Sequence, residues 1–354
     1  MSLTFREMQE GEARAAQSVA IKVFLRSAEA PFVPKPKTAW VAVKGGKIAG
    51  GYVYTIETCG EKKFGSVDFF FVDPAYAGQG IGRELCEQAT EFLWGLGCDY
   101  LITSVRDDNV KSWRAFETVG FTRARLPKIM GALGLLGSVK AAIKNFHGFN
   151  TGCDIYFAVR PGGSDDLSAY AKLPGGGQLA LHILANTALL MFLMLRNETA
   201  TATLAVLPAV VVIFGGIALL SYIGTLFSAR GWRYRLVNGG LITNLALIMV
   251  GLLFPVAGNW HPERYENTPE FRADMGLTAL LPWLYLIAMF VTQRLFGDGI
   301  PFPSGLFTGM AGILLTLRCI PVPLINQGGV RLFLWSKPLW VAMAAASIYI
   351  VYFW

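Results

Sequence analysis

Residues 66–88 constrain the chain more than any other stretch. Val67 to Val72 is an apolar run rich in aromatic and β-branched residues, Asp73-Pro74 ends it, and Gly78, Gly80 and Gly82 follow. Leu85, Ala89, Phe92 and Leu93 then recur at helical spacing. A strand that turns through glycines into a helix presents a row of backbone N–H groups and the positive end of a helix dipole, which suits a pyrophosphate. The glycines let phosphates approach where a Cβ would collide. Taken alone, such a turn also serves merely to pack a helix against a strand.

A second segment narrows the reading. The strand-like run Tyr100 to Val105 is followed by a short helical stretch from Asn109 through Ser112 and Phe116, closed by Gly120-Phe121. The two segments together resemble the GNAT superfamily, the Gcn5-related N-acetyltransferases, over about residues 1–160. The resemblance implies an α+β domain with a mixed, largely antiparallel sheet and flanking helices, and acetyl-CoA or another acyl-CoA as cosubstrate. It implies that Ala77, Gly78, Gln79, Gly80, Ile81, Gly82 and Arg83 cradle the pyrophosphate, and that a backbone N–H at Phe71-Val72 polarises the thioester carbonyl. Asn109, Ser112 and Phe116 then border the CoA arm.

Two positions depart from the family pattern. Its first turn residue, Arg or Gln, is Ala77 here, with Gln79 and Arg83 as replacements. Its tyrosine, often the acid for the leaving thiolate, is Phe116, and a phenyl ring has no proton to give. Tyr76 and Tyr156 are the candidate acids. Acyl transfer to an amine also needs a proton sink, for which Asp68 is the candidate base, on the same strand parity as Ser66 and Phe70. Glu57 is a weaker second base and His147 a third; a structural role for Asp68 at the sheet remains open.

Residues 3–30 are expected to be helical, with Val19, Ile21, Val23, Phe24 and Leu25 buried. Ala39 to Val43 and Ile48 to Thr55 read as strands joined at Lys44-Gly45-Gly46-Lys47. Thr122 to Leu126 and Asp154 to Val159 read as the last two strands, separated by an unusual insert at 127–153. There Ile129, Leu133, Leu136 and Ile143 fall near one helical face, with Lys128, Lys140 and Lys144 beside it, as in a helix lying on a membrane. A helix packed on protein is the alternative.

The second half is of a different kind. The mean hydropathy is +0.45, and residues 1–172 hold 21 of the 31 Lys+Arg and 18 of the 24 Asp+Glu. After a Pro/Gly/Ser linker at 161–177, an all-α membrane domain is expected over 178–354. Its apolar windows at 178–195, 203–227, 236–257, 276–295, 300–321 and 338–354 suggest about six spans. With the first domain in the cytoplasm, the basic loop 228–235 falls inside and 258–275 outside. The segment carrying Arg318, Arg331 and Lys337 then falls outside too, against the positive-inside rule. His182, Asn186 and Asn244 are polar groups within the windows, suited to function or to helix contacts. His261 lacks partners for a metal site, and none is expected. The five cysteines show no paired spacing and read as free thiols of a reducing compartment. The net charge of +7 reads as membrane-flanking charge rather than a nucleic-acid surface.

These readings converge on a cytoplasmic-membrane acetyltransferase acting on an amine or hydroxyl of a membrane-associated acceptor: a lipid, a lipid-linked sugar or a protein. The competing expectation is a catalytically weak CoA-binding sensor that governs a channel, transporter or assembly platform.

Overall fold

The computed structural model describes residues 2–24, 33–106, 109–124, 126–144, 153–163, 173–196, 203–236, 254–266, 268–297, 304–321 and 328–354. The chain divides into two compact units between residues 172 and 173. The expectations at His147, Ile143, Lys144 and Asn244 lie outside the described residues or side chains.

The first unit is built on a seven-stranded sheet. Its elements are β1 (Leu3–Glu7), α1 (Ala13–Phe24), β2 (Ala39–Lys44), β3 (Lys47–Cys59), β4 (Lys62–Val72), α2 (Ile81–Gly95), β5 (Tyr100–Arg106), α3 (Val110–Glu117), β6 (Thr122–Arg123), α4 (Leu126–Lys144) and β7 (Cys153–Val159). The strand order is β1-β2-β3-β4-β5-β7-β6, antiparallel except for the parallel pair β4/β5. Residues 3–7, expected to begin a helix, instead pair with β2 from Leu3↔Lys44 to Glu7↔Trp40. The helix starts only after Arg6 grips Glu12 through two hydrogen bonds of 2.8 and 2.7 Å, while Gln9 N donates to the same carboxylate.

Each face of the sheet is covered by different helices. Tyr52, Tyr54, Val67, Leu101 and Tyr156 meet Leu85, Ala89 and Leu93 of α2 and Phe116 of α3. The buried residues of α2 recur every three to four positions, and burying Leu85 and Leu93 contributes about 1.5–3 kcal/mol each. On the other face, Ala16 and Ala20 of α1 pack on Val41, Val43, Val53 and Phe71.

The insert helix α4 lies beside them on that second face. Its Ile129, Ala132, Leu133 and Ala141 cover Phe64, Tyr100, Ile102 and Phe157. Ile129 and Leu133, expected on the face of a helix lying on a membrane, are buried against the sheet instead, and Leu136, expected on the same face, is 80% exposed, because Gly134 (φ 70°, ψ 175°) breaks the helix and shifts its phase. Lys140 is likewise not free to snorkel: it pairs with Glu57 at 2.7 Å. The outward side of α4 carries the exposed Met130, Leu135, Leu136 and Val139.

Among the described residues the second unit is helical apart from a two-stranded ribbon. It comprises α5 (Gly175–Arg196), α6 (Thr203–Val210) running through a π-turn at Val211–Gly215 into α7 (Gly216–Thr225), then β8 (Trp232–Leu236), β9 (Gly258–Pro262), α8 (Pro269–Phe296), α9 (Ser304–Arg318), α10 (Gly329–Trp335) and α11 (Lys337–Tyr352). Among the described residues three helical stretches are long and apolar enough to cross a membrane: 175–195, 206–225 and 269–296. Helices α9 and α11 are apolar but shorter.

The ribbon bears on the window 236–257, whose residues 237–253 lie outside the described residues. Leu236 and Gly258, the two ends of the 236–257 window, are register partners. A single crossing would hold its ends apart by the ~30 Å of a hydrocarbon core. The ion pairs of Arg230 with Glu266 (2.6 Å) and Asp274 (3.0 Å) say the same, since they tie the loop expected inside to the loop expected outside.

Two buried polar groups of α5 hold this ribbon in place. Asn186 faces the Val256 peptide with its amide, Oδ1 accepting from Val256 N (2.9 Å) and Nδ2 donating to Val256 O (3.3 Å). His182 lies between Val256 O (Nε2, 2.7 Å) and the Tyr234 hydroxyl (Nδ1, 2.6 Å). Non-helical backbone inside a helical domain needs such partners, and this is the work of His182 and Asn186.

Candidate active site

The parallel pairing of β4 with β5 runs only from Phe64↔Tyr100 to Val67↔Thr103. Thr103 Oγ1 closes the pairing by donating to Val67 O at 3.1 Å. Beyond it, β4 continues to Val72 and β5 to Arg106 without pairing, so the two strands part. The cause lies on the other edge of β4. The β3/β4 register jumps from Tyr54↔Val67 to Val53↔Phe69, leaving Asp68 as the extra residue of a bulge.

That bulge places the candidate base at the fork. Asp68 accepts from Ser66 Oγ at 3.1 Å. It also breaks the expected parity: Val67 and Phe70, three residues apart, both pack on the α2 face, whereas Phe69 and Phe71 pack on the α1 face. The Phe71 ring is buried against Gly51, where an added Cβ would stand 2.5 Å from it, so its side chain belongs to the core. Asp73 N donates to Ala49 O of β3. Since N–H groups alternate sides along a strand, the Val72 N–H points the other way, into the open fork.

The glycine turn follows directly. Asp73 caps the short 3-10 turn Pro74–Tyr76 by accepting from Ala75 N, and Lys22 Nζ binds its carboxylate at 2.6 Å. Burial raises the Asp73 pKa, but the bonds from Lys22 and Ala75 outweigh it, and the net shift is downward. Gly78 and Gly80 both have φ of 78°, a backbone conformation that a side chain strains, whereas Gly82 has ordinary dihedrals. Gly80 is the N-cap of α2 and provides no side-chain cap, so the N–H groups of Ile81, Gly82 and Arg83 are left to an outside acceptor. The Ile81 side chain is buried below them.

The charge at this turn comes from a residue the sequence did not mark. Lys44, at the end of β2, donates to Gln79 Oε1 and lies 5.5 Å above the Tyr76 ring. The β2/β3 hairpin thereby sets a cation beside the position where Ala77 offers none. Arg83, the other replacement, is held along the helix by Glu87 at 2.8 Å. Only strand pairing across the sheet brings Lys44 here, and no local motif announces it.

Across the fork, Asn109 caps α3, its Oδ1 accepting from Ser112 N at 3.4 Å. Phe116 is buried among Phe121 (5.1 Å between ring centroids), Phe70 (5.6 Å) and Tyr52 (6.1 Å). Tyr156 enters the same core from β7. Its hydroxyl accepts from Arg123 Nη2 at 3.1 Å, and Arg123 also pairs with buried Asp154 at 2.9 Å. Burial pushes the Tyr156 phenol up to about 12 despite Arg123, so it stays protonated at neutral pH. Tyr76 is half-buried at the turn. Glu57 is engaged by Lys140 of α4.

The acetyltransferase (GNAT) family model matches residues 6–121. Those residues are a GNAT domain. Solved structures similar to it include the ribosomal-protein-S18-alanine N-acetyltransferase from Escherichia coli, at 16% identity over 47% of this chain and 99% of that one, with a TM-score of 0.32. N-acetylglutamate synthase from Neisseria gonorrhoeae, complexed with coenzyme A and N-acetyl-glutamate, matches at 15% over 45% of this chain and 35% of that one (TM-score 0.33). A GNAT family acetyltransferase from Brucella melitensis in complex with acetyl-CoA matches at 21% over 28% and 74% (TM-score 0.25). No curated protein matches the chain. The family match ends before α4, so the insert helix and the helical unit stand outside it.

Proposed function

We propose that this chain is a membrane-anchored acyltransferase that moves an acetyl or other acyl group from acyl-CoA to an amine or hydroxyl of a membrane-associated acceptor. The observation that carries this reading is the fork between β4 and β5, with the Val72 N–H, Asp68 and the glycine turn at its mouth. The N–H groups at 81–83 and Lys44 hold the pyrophosphate, and Asn109 borders the CoA arm. The acceptor nitrogen attacks the thioester carbonyl carbon, and the oxyanion that forms accepts from Val72 N–H. Asp68 takes the proton of the attacking amine. Collapse breaks the C–S bond, and Tyr76, the half-buried one of the two candidate acids, supplies a proton to the thiolate, since Tyr156 is buried in the same core as Phe116.

The membrane part of the proposal rests on the apolar helices of the second unit and on the exposed Met130, Leu135, Leu136 and Val139 of α4. With the ribbon on the cytoplasmic side, five helices cross: α5, α6–α7, α8, α9 and α11. The basic residues 230, 233, 235, 264, 272, 318, 331 and 337 then share that side, leaving only Arg196 and Arg294 opposite. This removes the conflict with the positive-inside rule that a crossing at 236–257 creates.

Thiol release from acetyl-CoA by the detergent-solubilised full chain, assayed against lipid-extract fractions and against soluble amines, tests the acceptor. Turnover restricted to soluble amines sinks the membrane-acceptor part. A sensor role is favoured by one feature, the core placement of Phe116 where the family has its acid. Micromolar CoA binding without transfer to any fraction would decide for it.

A further inference from the structure

The ribbon end of the helical unit buries three arginines, Arg235, Arg318 and Arg331, and among the described residues of that unit no carboxylate is buried with them. Arg331 Nη1 donates to two neutral oxygens, Trp260 O (2.8 Å) and Thr278 Oγ1 (2.9 Å). Glu266 and Asp274 are committed to Arg230.

Arg318 differs. It is the last residue of α9 and is 2% exposed, yet its Nε and Nη1 have no hydrogen-bond partner. A guanidinium does not shed its proton to escape burial, so an unanswered one is strongly destabilising.

The surrounding backbone is shaped to admit it. Gly328, at φ 96°, lies where an added Cβ would stand 2.7 Å from Arg318 Nη1. Gly329 packs so tightly on the Arg318 carbonyl that any side chain there would overlap it. Thr278 and Ala279 of α8 bring the wall of this recess next to the Arg331 guanidinium: Thr278 holds Arg331, and Ala279 lies against Gly328.

We infer that Arg318, backed by Arg331, seats a phosphate-type oxyanion at the ribbon end of the helical unit. The planar guanidinium matches a phosphate through two parallel N–H bonds, which a point charge does not. Arg318 ends an apolar helix, the level at which lipid headgroups lie. A lipid phosphate and a free phosphate share this chemistry. The site does not depend on the acyltransferase reading.

The test follows thermal unfolding of the delipidated full chain in detergent. Phosphatidylglycerol is added, or diacylglycerol with the same acyl chains, or inorganic phosphate. Phosphatidylglycerol is expected to raise the midpoint by roughly 5 °C at a hundredfold excess over its Kd, and diacylglycerol to leave it unchanged. Arg318→Gln should abolish the shift while unfolding no lower than lipid-free wild type. Inorganic phosphate reproducing the shift makes a free anion the source; a response to phosphatidylglycerol alone makes it the headgroup. An equal rise with diacylglycerol, an undiminished rise in Arg318→Gln, or no response of wild type to either phosphate source overturns the site. The lipid comparison on wild type decides even if the variant does not fold.

Discussion

Lys44 Nζ donates to the side-chain oxygen of Gln79, so the end of β2 supplies a cation to a glycine turn that has Ala77 where the family places a basic or amide side chain. Lys44→Ala is expected to weaken CoA binding about fivefold, the loss of roughly 1 kcal/mol for one exposed charged contact. Arg83→Ala should change it less, because Glu87 already engages that guanidinium. Calorimetric titration with CoA on both variants checks the order; a larger loss at Arg83 would reverse the assignment.

Asp68 is the extra residue of the β4 bulge, placed where β4 leaves β5. Asp68→Asn keeps its shape and removes the proton acceptor. A fall in kcat of about 10²–10⁴ is expected, with KM for acyl-CoA little changed. A base works deprotonated, so wild-type kcat should rise with pH on the acidic side and that limb should vanish in the variant. Unchanged kcat in Asp68→Asn would leave the residue a structural part at the bulge, where it accepts from Ser66.

Restoring the family's tyrosine should not restore an acid. Phe116 is 2% exposed inside a ring cluster with Tyr52, Phe70 and Phe121. Phe116→Tyr therefore buries a hydroxyl among aromatic rings, at about 1–3 kcal/mol. A lower unfolding midpoint without any gain in kcat is expected; a several-fold rate gain would show that the new hydroxyl reaches the thiolate.

The sequence revealed what local signals write and hid what long-range pairing writes. Residues 66–88 and 109–121 were legible because a β run, glycines at positive φ and a helical period sit next to one another in the chain. Residues 3–7 adjoin the helical pattern of the following stretch, while their true partner, β2, lies more than thirty residues on. The bulge at Asp68, the reach of Lys44 and the pairing of Leu236 with Gly258 leave no periodic trace at all. In α4 one dihedral pair at Gly134 separates Leu136 from the face that holds Ile129 and Leu133.

The Arg6–Glu12 pair makes folding pH-dependent. The bonds from Arg6, aided by Gln9 N, hold the Glu12 carboxyl at about 2, against partial burial that works the other way. A depressed carboxylate stabilises the fold above its unfolded value and loses that contribution as pH falls through its folded one. Glu12→Gln should therefore cost about 1 kcal/mol at neutral pH, after allowance for its partial exposure, and little at pH ~2. Denaturant midpoints of wild type and variant, compared from pH 7 down to about 2, should differ above the ordinary carboxylate range and converge below it; a constant gap down to pH ~2 would mean that packing, not charge, is lost.

Sidedness of the helical unit follows from the ribbon. Arg233 pairs with His261 in register, and Arg230 binds Glu266 and Asp274, so in the proposed five-crossing arrangement residues 228–235 and 258–275 share one side. Single cysteines at Arg233 and at Glu263, in a background freed of native thiols, are expected to react with an impermeant maleimide from the same face of sealed vesicles. A cysteine placed at Trp354, the far end of α11, should react only from the other. Opposite labelling of 233 and 263 would require a crossing between them, and the ribbon could not then form in the membrane. Labelling of 354 from the ribbon's face would leave an even number of crossings beyond it, and the basic ends of α9 and α10 would need another explanation.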